Sequence, residues 1–365
     1  MSSAPVSGPP YAPTSAGLGG QPVPKVDDPI SAVLLLFFIA GAATNMTILQ
    51  VNMRRGHKFI ISGMTFGFCM ARMTALIMRI VWASRPHNVS IAIAANVLTV
   101  AGVVLLFLIN LIFAQRVVRA HRPRLGWSRP VTYLFRALFF SVPFVLVMVI
   151  PVSIDMFYTL DTSTRLVLRK VQLVATVWMA ILSFLPIPIT LLTLFAPPRP
   201  PHHGTVENFG QGQMRTKIGL LLFTSTLLAL GASFRAGVNF MPRPITAPAW
   251  FDSKPAYYVF NYVIEIIVVY TYTISRFDRR FHVPNGSSAP GHYAAGGAVA
   301  NKSTSTTAGD AADAAERGET SEVDNADSAV LGRKPSLADR INNESDVFGS
   351  DEEPTLNNEG KPEQH

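Results

Sequence analysis

Charged side chains that interrupt long apolar stretches are the residues in this sequence most able to do chemistry. Five of them are the candidates for a site: Arg72, Arg79, Asp155, Arg235 and Glu265. A charge at membrane depth is costly, so such residues typically mark a ligand site, a proton pathway or a structural ion pair. The chemistry that these types offer is the binding of an anion by guanidinium groups, with carboxylates as counter-charges.

The elements that hold these residues are predicted from composition and span length. Of the 365 residues 49% are hydrophobic and 15% are charged, which is too few charges for an ordinary water-soluble enzyme. A helix needs about 20 mostly apolar residues to cross a bilayer. Seven stretches meet this requirement, and they predict an all-α polytopic membrane protein, a seven-transmembrane-helix bundle over 30–283: 30–52, 59–83, 90–115, 131–154, 171–195, 218–240 and 256–275.

The depths of the charged residues within these spans predict two groups. Arg72 and Glu265 both lie near the middle of their spans, so we expect a pair at the midplane. At 1.5 Å per residue, Arg235 lies roughly 9 Å and Arg79 roughly 12 Å nearer the outside. With Asp155, at the outer end of span four, they form a predicted outward-facing cluster.

Two interpretations of these charges remain open at this point. In one, Arg72 and Glu265 form a buried ion pair that fixes helix register, and Arg79 extends its charge to the membrane surface. In the other, the three arginines and the carboxylates line a site for a lipid or an amphipathic small molecule. Arginines outnumber carboxylates in the spans, and an excess buried arginine needs a counter-anion.

Orientation is predicted from the basic residues in the connections between spans. One side carries 14 Lys and Arg residues and the other carries 7. The positive-inside rule therefore places the N-terminus outside and the C-terminus in the cytoplasm, as expected of an integral protein of the plasma membrane. The sequon at Asn88 would then lie outside, where N-glycosylation occurs.

Both ends of the chain are predicted to be disordered tails. Residues 1–29 are rich in Pro and Gly and form the predicted extracellular tail. Residues 284–365 form a predicted acidic cytoplasmic tail, because their composition cannot bury enough apolar area to offset ordering. Within it Ser336 follows Arg-Lys-Pro and Ser350 precedes Asp-Glu-Glu, which predicts phosphorylation at both serines. The basic segment from Arg116 to Arg129 is the predicted contact for a cytoplasmic signalling partner.

Several functional classes lack their residues in this sequence. All eight histidines fall in connections or tails, so no span supplies the ligands of an intramembrane zinc hydrolase. The predicted spans contain no Lys for a Schiff base, and the sequence has no P-loop and no Gly-x-Ser-x-Gly. We therefore expect no enzyme activity, no metal, no cofactor and no nucleic-acid partner.

The last two spans carry a resemblance to a known family. Over roughly residues 30–285 the chain resembles an uncharacterised seven-helix membrane family of filamentous fungi, which is a domain of unknown function. The segments that carry the resemblance are Ser233-Phe234-Arg235-Ala236-Gly237, Ala249-Trp250-Phe251-Asp252-Ser253-Lys254, Tyr262-Val263-Ile264-Glu265 and Arg279-Arg280-Phe281-His282-Val283-Pro284. More distantly, the arginine in span six and the glutamate in span seven are similar to the fungal lipid-translocating exporter family of the toxin-resistance (RTA) type. That resemblance implies a role in lipid export for Arg235 and Glu265.

Two functions follow from these observations. The first is a receptor-like sensor with a phosphoregulated cytoplasmic tail, favoured by seven spans, an outside N-terminus and a basic connection that faces the cytoplasm. The second is a transporter or lipid translocator that uses the midplane Arg and Glu. Transporters usually contain internal repeats. No repeat is visible when spans one to three are compared with the later spans, so the sequence favours the sensor.

Overall fold

A computed structural model gives the fold, and it describes residues 8–11, 15–57, 59–195, 209–290 and 292–293. These residues form seven helices that are long and apolar enough to cross a membrane, and no strand is present among them. The expected all-α seven-helix fold is therefore confirmed. The helices are α1 (Pro24–Arg54), α2 (Ile60–Ser84), α3 (Val89–His121), α4 (Arg129–Asp155), α5 (Thr162–Phe195), α6 (Met214–Phe240) and α7 (Lys254–Ile274).

The outside of the helix bundle is apolar. Large side chains such as Leu36, Phe140, Phe144 and Leu192 are each about two-thirds exposed or more. Soluble monomers rarely expose many large apolar side chains in this way, whereas lipid is a favourable solvent for them. The chain is therefore a multi-pass integral membrane protein.

The most buried helix is α3, which has no charged residue between positions 90 and 115. Its second half, Val104–His121, packs against α2, α4, α5 and α6. Around it, α1 packs against α2 and α7, α4 against α5, α5 against α6, and α6 against α7. The absence of charge in α3 thus reflects a central position as well as membrane depth.

Three of the helices are interrupted, either beside the candidate site or next to a proline. The helical pattern of α3 breaks at Val103, and α5 breaks at Leu185, directly before Pro186. Proline lacks the N–H that would continue the hydrogen-bond ladder, which accounts for the second break. In α7 the residues Val259–Val263 form a π-helical turn. Such turns are rare and are frequently found at functional sites.

Parts of both predicted tails pack against the helices instead of remaining free. The first helix begins at Pro24, six residues before the predicted span. In the preceding segment, the N–H of Gly19 donates to the carbonyl of Asp252 at 3.0 Å. Gly19 has φ +80°, and a Cβ there would lie 2.5 Å from the Tyr257 ring, so only glycine fits. At the other end Tyr293 is buried beside Trp127. Most of the predicted acidic tail, including Ser336 and Ser350, lies outside the described residues.

Candidate functional site

The centre of the candidate site is a bidentate ion pair between α2 and α7. Arg72 donates from Nε to Oε2 and from Nη2 to Oε1 of Glu265, both at 2.5 Å. Both side chains are fully buried. A planar guanidinium matches a carboxylate in this fork geometry, which gives the strongest class of hydrogen-bonded ion pair in proteins. The two residues that the sequence placed at one depth are thus in contact.

The third contact of Arg72 explains the break in α3. Its Nη1 donates to the carbonyl oxygen of Thr99 at 2.6 Å. In an uninterrupted helix this oxygen would accept from the N–H of Val103, which is the residue where the helical pattern breaks. Gly102 lies against the guanidinium, and a Cβ at that position would be 3.4 Å from Cζ of Arg72. The side chain of Arg72 therefore joins α2, α3 and α7.

Arg235 is the second cation of the site, and it holds Glu265 less closely. Its Nη1 lies 3.7 Å from Oε1 of Glu265, and it donates to the carbonyl of Phe260 at 3.2 Å and to Oδ1 of Asn261 at 3.3 Å. Both of these acceptors belong to the π-helical turn of α7. Gly231 allows this approach, because a Cβ there would lie only 3.1 Å from the Phe260 oxygen.

The charges of the site do not balance. The guanidinium groups of Arg72 and Arg235 share the single carboxylate of Glu265, and Arg72 already occupies both carboxylate oxygens. Within the described part of the chain, Nε and Nη2 of Arg235 make no hydrogen bond, and the side chain is 17% exposed. The site therefore has a formal surplus of one positive charge, on a side chain that is partly exposed.

Aromatic residues and hydroxyl groups surround the ion pair. The Arg72 guanidinium lies 5.4 Å from the ring centre of Tyr262 and 5.5 Å from that of Phe68. The hydroxyl groups of Tyr257 and Tyr262 lie 3.1 Å apart, and that of Thr99 is 3.3 Å from Tyr262. Rings stabilise a buried cation through their electron-rich faces. This shell supports Arg72 and leaves Arg235 as the less satisfied cation.

The predicted outward-facing cluster is assembled differently from the expectation. Arg79 pairs with Asp27 of α1 at 3.2 Å and donates to the carbonyl of Gly19 at 2.9 Å. Asp27 also accepts hydrogen bonds from Lys254 and, at 2.7 Å, from the hydroxyl of Tyr258. Grouping Arg79 with Asp155 was therefore wrong. The interpretation in which Arg79 extends to the membrane surface is also wrong, since its side chain is buried.

Asp155 and Arg235 also stand apart from this outer cluster. Asp155 is exposed at the end of α4, and it forms no ion pair with another described residue. Arg235 belongs instead with the midplane pair, because its Nη1 lies 3.7 Å from Oε1 of Glu265. A depth count from the backbone does not include the length of the arginine side chain, which explains the difference.

The carboxylate that neutralises Arg79 was not predicted from the sequence. Asp27 lies before the apolar run of the first span, so it was assigned to the tail, although it occupies the first turn of α1. A carboxylate there is favoured by the helix dipole, and this is the signal that could have identified it. A second missed group joins three helices through Asn110, whose Oδ1 accepts from Tyr272 and, at 3.3 Å, from Thr224.

The remaining predicted sites are peripheral. Asn88 is exposed and caps the first turn of α3, where its Oδ1 accepts from the N–H of Ile91 at 3.3 Å. In the basic segment, Arg116 donates to the carbonyl of Phe281, and Arg119 lies 4.1 Å from the ring centre of Trp127. Part of the predicted partner surface is thus used within the protein. No group of three or more His, Cys, Asp or Glu residues that could hold a metal ion occurs among the described residues.

Comparison with known proteins adds one finding. The model of a family described as a protein of unknown function, DUF3112, matches residues 198–282. This stretch contains α6, the connection that follows it and α7, and therefore Arg235 and Glu265. No curated protein and no solved structure matches the chain. The similarity supports a family of unknown function and supplies no activity.

Proposed function

We propose that this protein is a receptor-like membrane sensor that binds an anionic amphiphile at Arg235. The observation that carries the proposal is the unequal sharing of Glu265. Arg72 holds both carboxylate oxygens at 2.5 Å, whereas Arg235 lies 3.7 Å away and is bonded to neutral acceptors. A buried cation without a full counter-charge favours an added anion.

The surroundings of Arg235 support a ligand with an apolar part. Phe234 stacks on Phe260 with ring centres 3.8 Å apart, and Trp250 follows at 6.3 Å from Phe234. The Trp250 side chain is 74% exposed in the connection between α6 and α7. The three rings form a row from exposed Trp250 to Phe260, whose carbonyl accepts from Arg235. An alkyl chain would lie along these rings, with its anionic headgroup at the guanidinium of Arg235.

The contacts of the ion pair supply a route from ligand to signal. An anion at Arg235 would draw that guanidinium away from Glu265 and strengthen the hold of Arg72 on the carboxylate. Arg72 is bonded at the break in α3, and Glu265 follows the π-helical turn of α7. Ligand binding would therefore bias the geometry of both interrupted helices, which is what a conformational switch requires. In this proposal the protein performs no chemical reaction and needs no cofactor.

The sensor proposal is tested by ligand-induced stabilisation of the full-length protein in phosphatidylcholine nanodiscs. Dodecyl phosphate is the probe, and zwitterionic dodecyl phosphocholine is the matched control. At 100 times the dissociation constant, dodecyl phosphate should stabilise the wild type by about 2.7 kcal/mol. Arg235→Gln should abolish the effect and Arg235→Lys should retain part of it. Arg243→Gln is the control variant, because Arg243 is exposed in the connection between α6 and α7, and it should behave as wild type.

Equal stabilisation by the two amphiphiles, or a response of Arg235→Gln equal to that of wild type, would show that Arg235 is a structural residue and contradict the proposal.

A lipid translocator is the second candidate, and one further observation favours it. An apolar groove of about 520 Å³ opens beside α7, lined by residues such as Phe37, Leu220, Tyr270 and Ile274. A groove of this size accommodates an acyl chain. Liposomes that contain the purified protein and labelled phospholipids separate the candidates: flux that Glu265→Gln abolishes would identify a translocator, and no flux from folded protein is the result that the sensor predicts.

Regulation by the acidic tail is part of the sensor proposal. Phosphate at Ser336 and Ser350 would add negative charge to a segment that already carries an acidic excess. We expect the double variant Ser336→Asp with Ser350→Asp to change the binding of a cytoplasmic partner near Arg124 and Arg129. The double variant Ser336→Ala with Ser350→Ala should bind this partner as the unphosphorylated wild type does. Partner binding that is identical in all three proteins would remove the tail from the proposal.

A further inference from the structure

A second groove lies between the ends of α1 and α7, far along α1 from the outer cluster at Asp27. Its volume is about 390 Å³, and its lining includes Thr44, Thr47, Asn52, Arg55, Arg276 and Arg279. From Thr44 to Arg55 the groove follows α1 for about 16 Å at 1.5 Å per residue. One end therefore lies at membrane depth between hydroxyl-bearing turns, and the other lies at the membrane surface among arginines.

The charge of this groove is strongly positive. Its one carboxylate, Asp278, is buried, accepts from Asn52 at 3.2 Å and lies 3.5 Å from Nε of Arg276. The side chains of Arg55 and Arg279 are exposed and make no ion pair with any described residue. Three arginines and one carboxylate leave a formal charge of +2, and the guanidinium groups of Arg55 and Arg279 have no ion-pair partner in the part of the chain that the structure describes.

The backbone places these arginines together at the end of α7. Arg276 has φ +50°, in the left-handed region, and it is the one described residue other than glycine with a positive φ. This residue ends α7 and turns the chain into the short helix Phe277–Arg280, so that Arg279 faces the same groove. An arginine gains nothing from this conformation, which asparagine and glycine adopt at lower cost. Its charge at this position is therefore the feature that needs an explanation.

We propose that this groove binds the headgroup of an anionic phospholipid that carries a phosphomonoester, such as phosphatidic acid or a phosphoinositide. A charge near −2 matches the groove, and arginine binds phosphate oxygens in bidentate geometry. Basic pockets between transmembrane helices bind such headgroups on the cytoplasmic side, and the positive-inside count assigns this end of the bundle to the cytoplasm. The acyl chains lie against the apolar outer face of α1, where Leu36 and Phe37 are exposed.

Lipid binding to the purified full-length protein tests this proposal by native mass spectrometry in a neutral detergent. The probe is dipalmitoyl phosphatidic acid, and phosphatidylcholine is the matched control lipid. The wild type should bind phosphatidic acid selectively. Each arginine removed should weaken binding about fivefold, the factor that corresponds to about 1 kcal/mol. The variants are Arg55→Gln, Arg279→Gln and Arg276→Asn, the last chosen because asparagine tolerates a positive φ.

Arg54→Gln is the control variant, because it removes the same charge from the same end of α1 at an exposed residue that does not line the groove. It should leave the affinity unchanged. If Arg54→Gln weakens binding as much as Arg55→Gln, the affinity comes from general surface charge and the proposal is overturned. Glycerol 3-phosphate supplies the remaining test, since competition by this soluble compound at equal concentration would show that the groove takes a free anion instead of a lipid. A failed response of Arg235 to dodecyl phosphate would not affect either result.

Discussion

The single negative charge of Glu265 is shared by Arg72 and Arg235. The loss of stability should therefore differ according to which of the three residues is substituted. Removing Arg72 leaves Glu265 with Arg235 at 3.7 Å as a partner, whereas removing the carboxylate leaves two buried cations with neutral neighbours. Breaking a buried ion pair is strongly destabilising because an uncompensated charge remains. The cost is therefore expected to differ between the two partners.

We predict that Glu265→Gln lowers the free energy of unfolding by about 3–5 kcal/mol and that Arg72→Gln lowers it by less. The double variant should be more stable than the sum of the two single effects implies, because it removes both members of the pair. Unfolding in mixed micelles with increasing SDS measures all three. Effects of the single substitutions that add within about 0.5 kcal/mol would show that the two residues are not coupled.

Counting residues from the centre of each span was sufficient to place Arg72 beside Glu265, because two buried opposite charges at one depth have few other partners. The same counting misassigned Arg79 and Asp155. The true partner of Arg79 was hidden because Asp27 precedes the apolar run. Hydropathy predicts where the apolar part of a helix begins, but α1 itself begins earlier, at Pro24. Proline suits the first turn of a helix because the N–H that it lacks would have no partner there.

At the scale of the elements, all seven helices were predictable from hydropathy, but several boundaries were not. The fifth helix begins at Thr162, nine residues before the predicted span, because Asp161 caps it through the N–H of Thr164 at 2.8 Å. Its first turns carry Arg165, Arg169 and Lys170, which a hydropathy window excludes. The break in α3 and the π-helical turn of α7 were also not predictable, since both lie where arginines of other helices, Arg72 and Arg235, donate to backbone carbonyl oxygens.

The stability of the helix ends near His282 should be sensitive to pH. Its ring packs edge-on against His57 with centres 4.8 Å apart. Burial lowers the pKa of His282 below its usual 6.5, the nearby charges of His57 and Arg116 lower it further, and Asp278 opposes them. The folded protein thus binds a proton less readily than the unfolded chain. The stability from this group is present above about pH 6.5 and is lost as the pH falls through the lowered pKa.

We therefore predict that the melting temperature of the wild type falls between pH 7.5 and 5.5, and that His282→Gln has a smaller pH dependence over the same range. His87→Gln is the control, because His87 is exposed in the connection between α2 and α3. A pH dependence that is the same in His282→Gln as in wild type would assign the effect to other groups.

At the scale of the whole molecule, the exposed apolar belt requires a membrane, and the distribution of charge predicts which way the protein faces. An odd number of spans predicts that the two ends of the helix bundle lie on opposite sides of the membrane. We expect an epitope tag at the N-terminus to be accessible to antibody on intact cells and a tag at the C-terminus to require permeabilisation. Accessibility of the C-terminal tag alone would reverse the orientation. The groove among Arg55, Arg276 and Arg279 would then face the outside.

The surplus cation at Arg235 is expected to bind an anion, and the affinities of Glu265→Gln and Arg235→Gln for dodecyl phosphate test this expectation. The first substitution removes the internal competitor for Arg235, so the dissociation constant should fall at least tenfold, and the ligand should recover much of the lost stability. The second removes the cation, so binding should be lost. The two variants of one buried cluster are thus predicted to change affinity in opposite directions. A dissociation constant that rises in both, or that changes in neither, would contradict an anion site at Arg235.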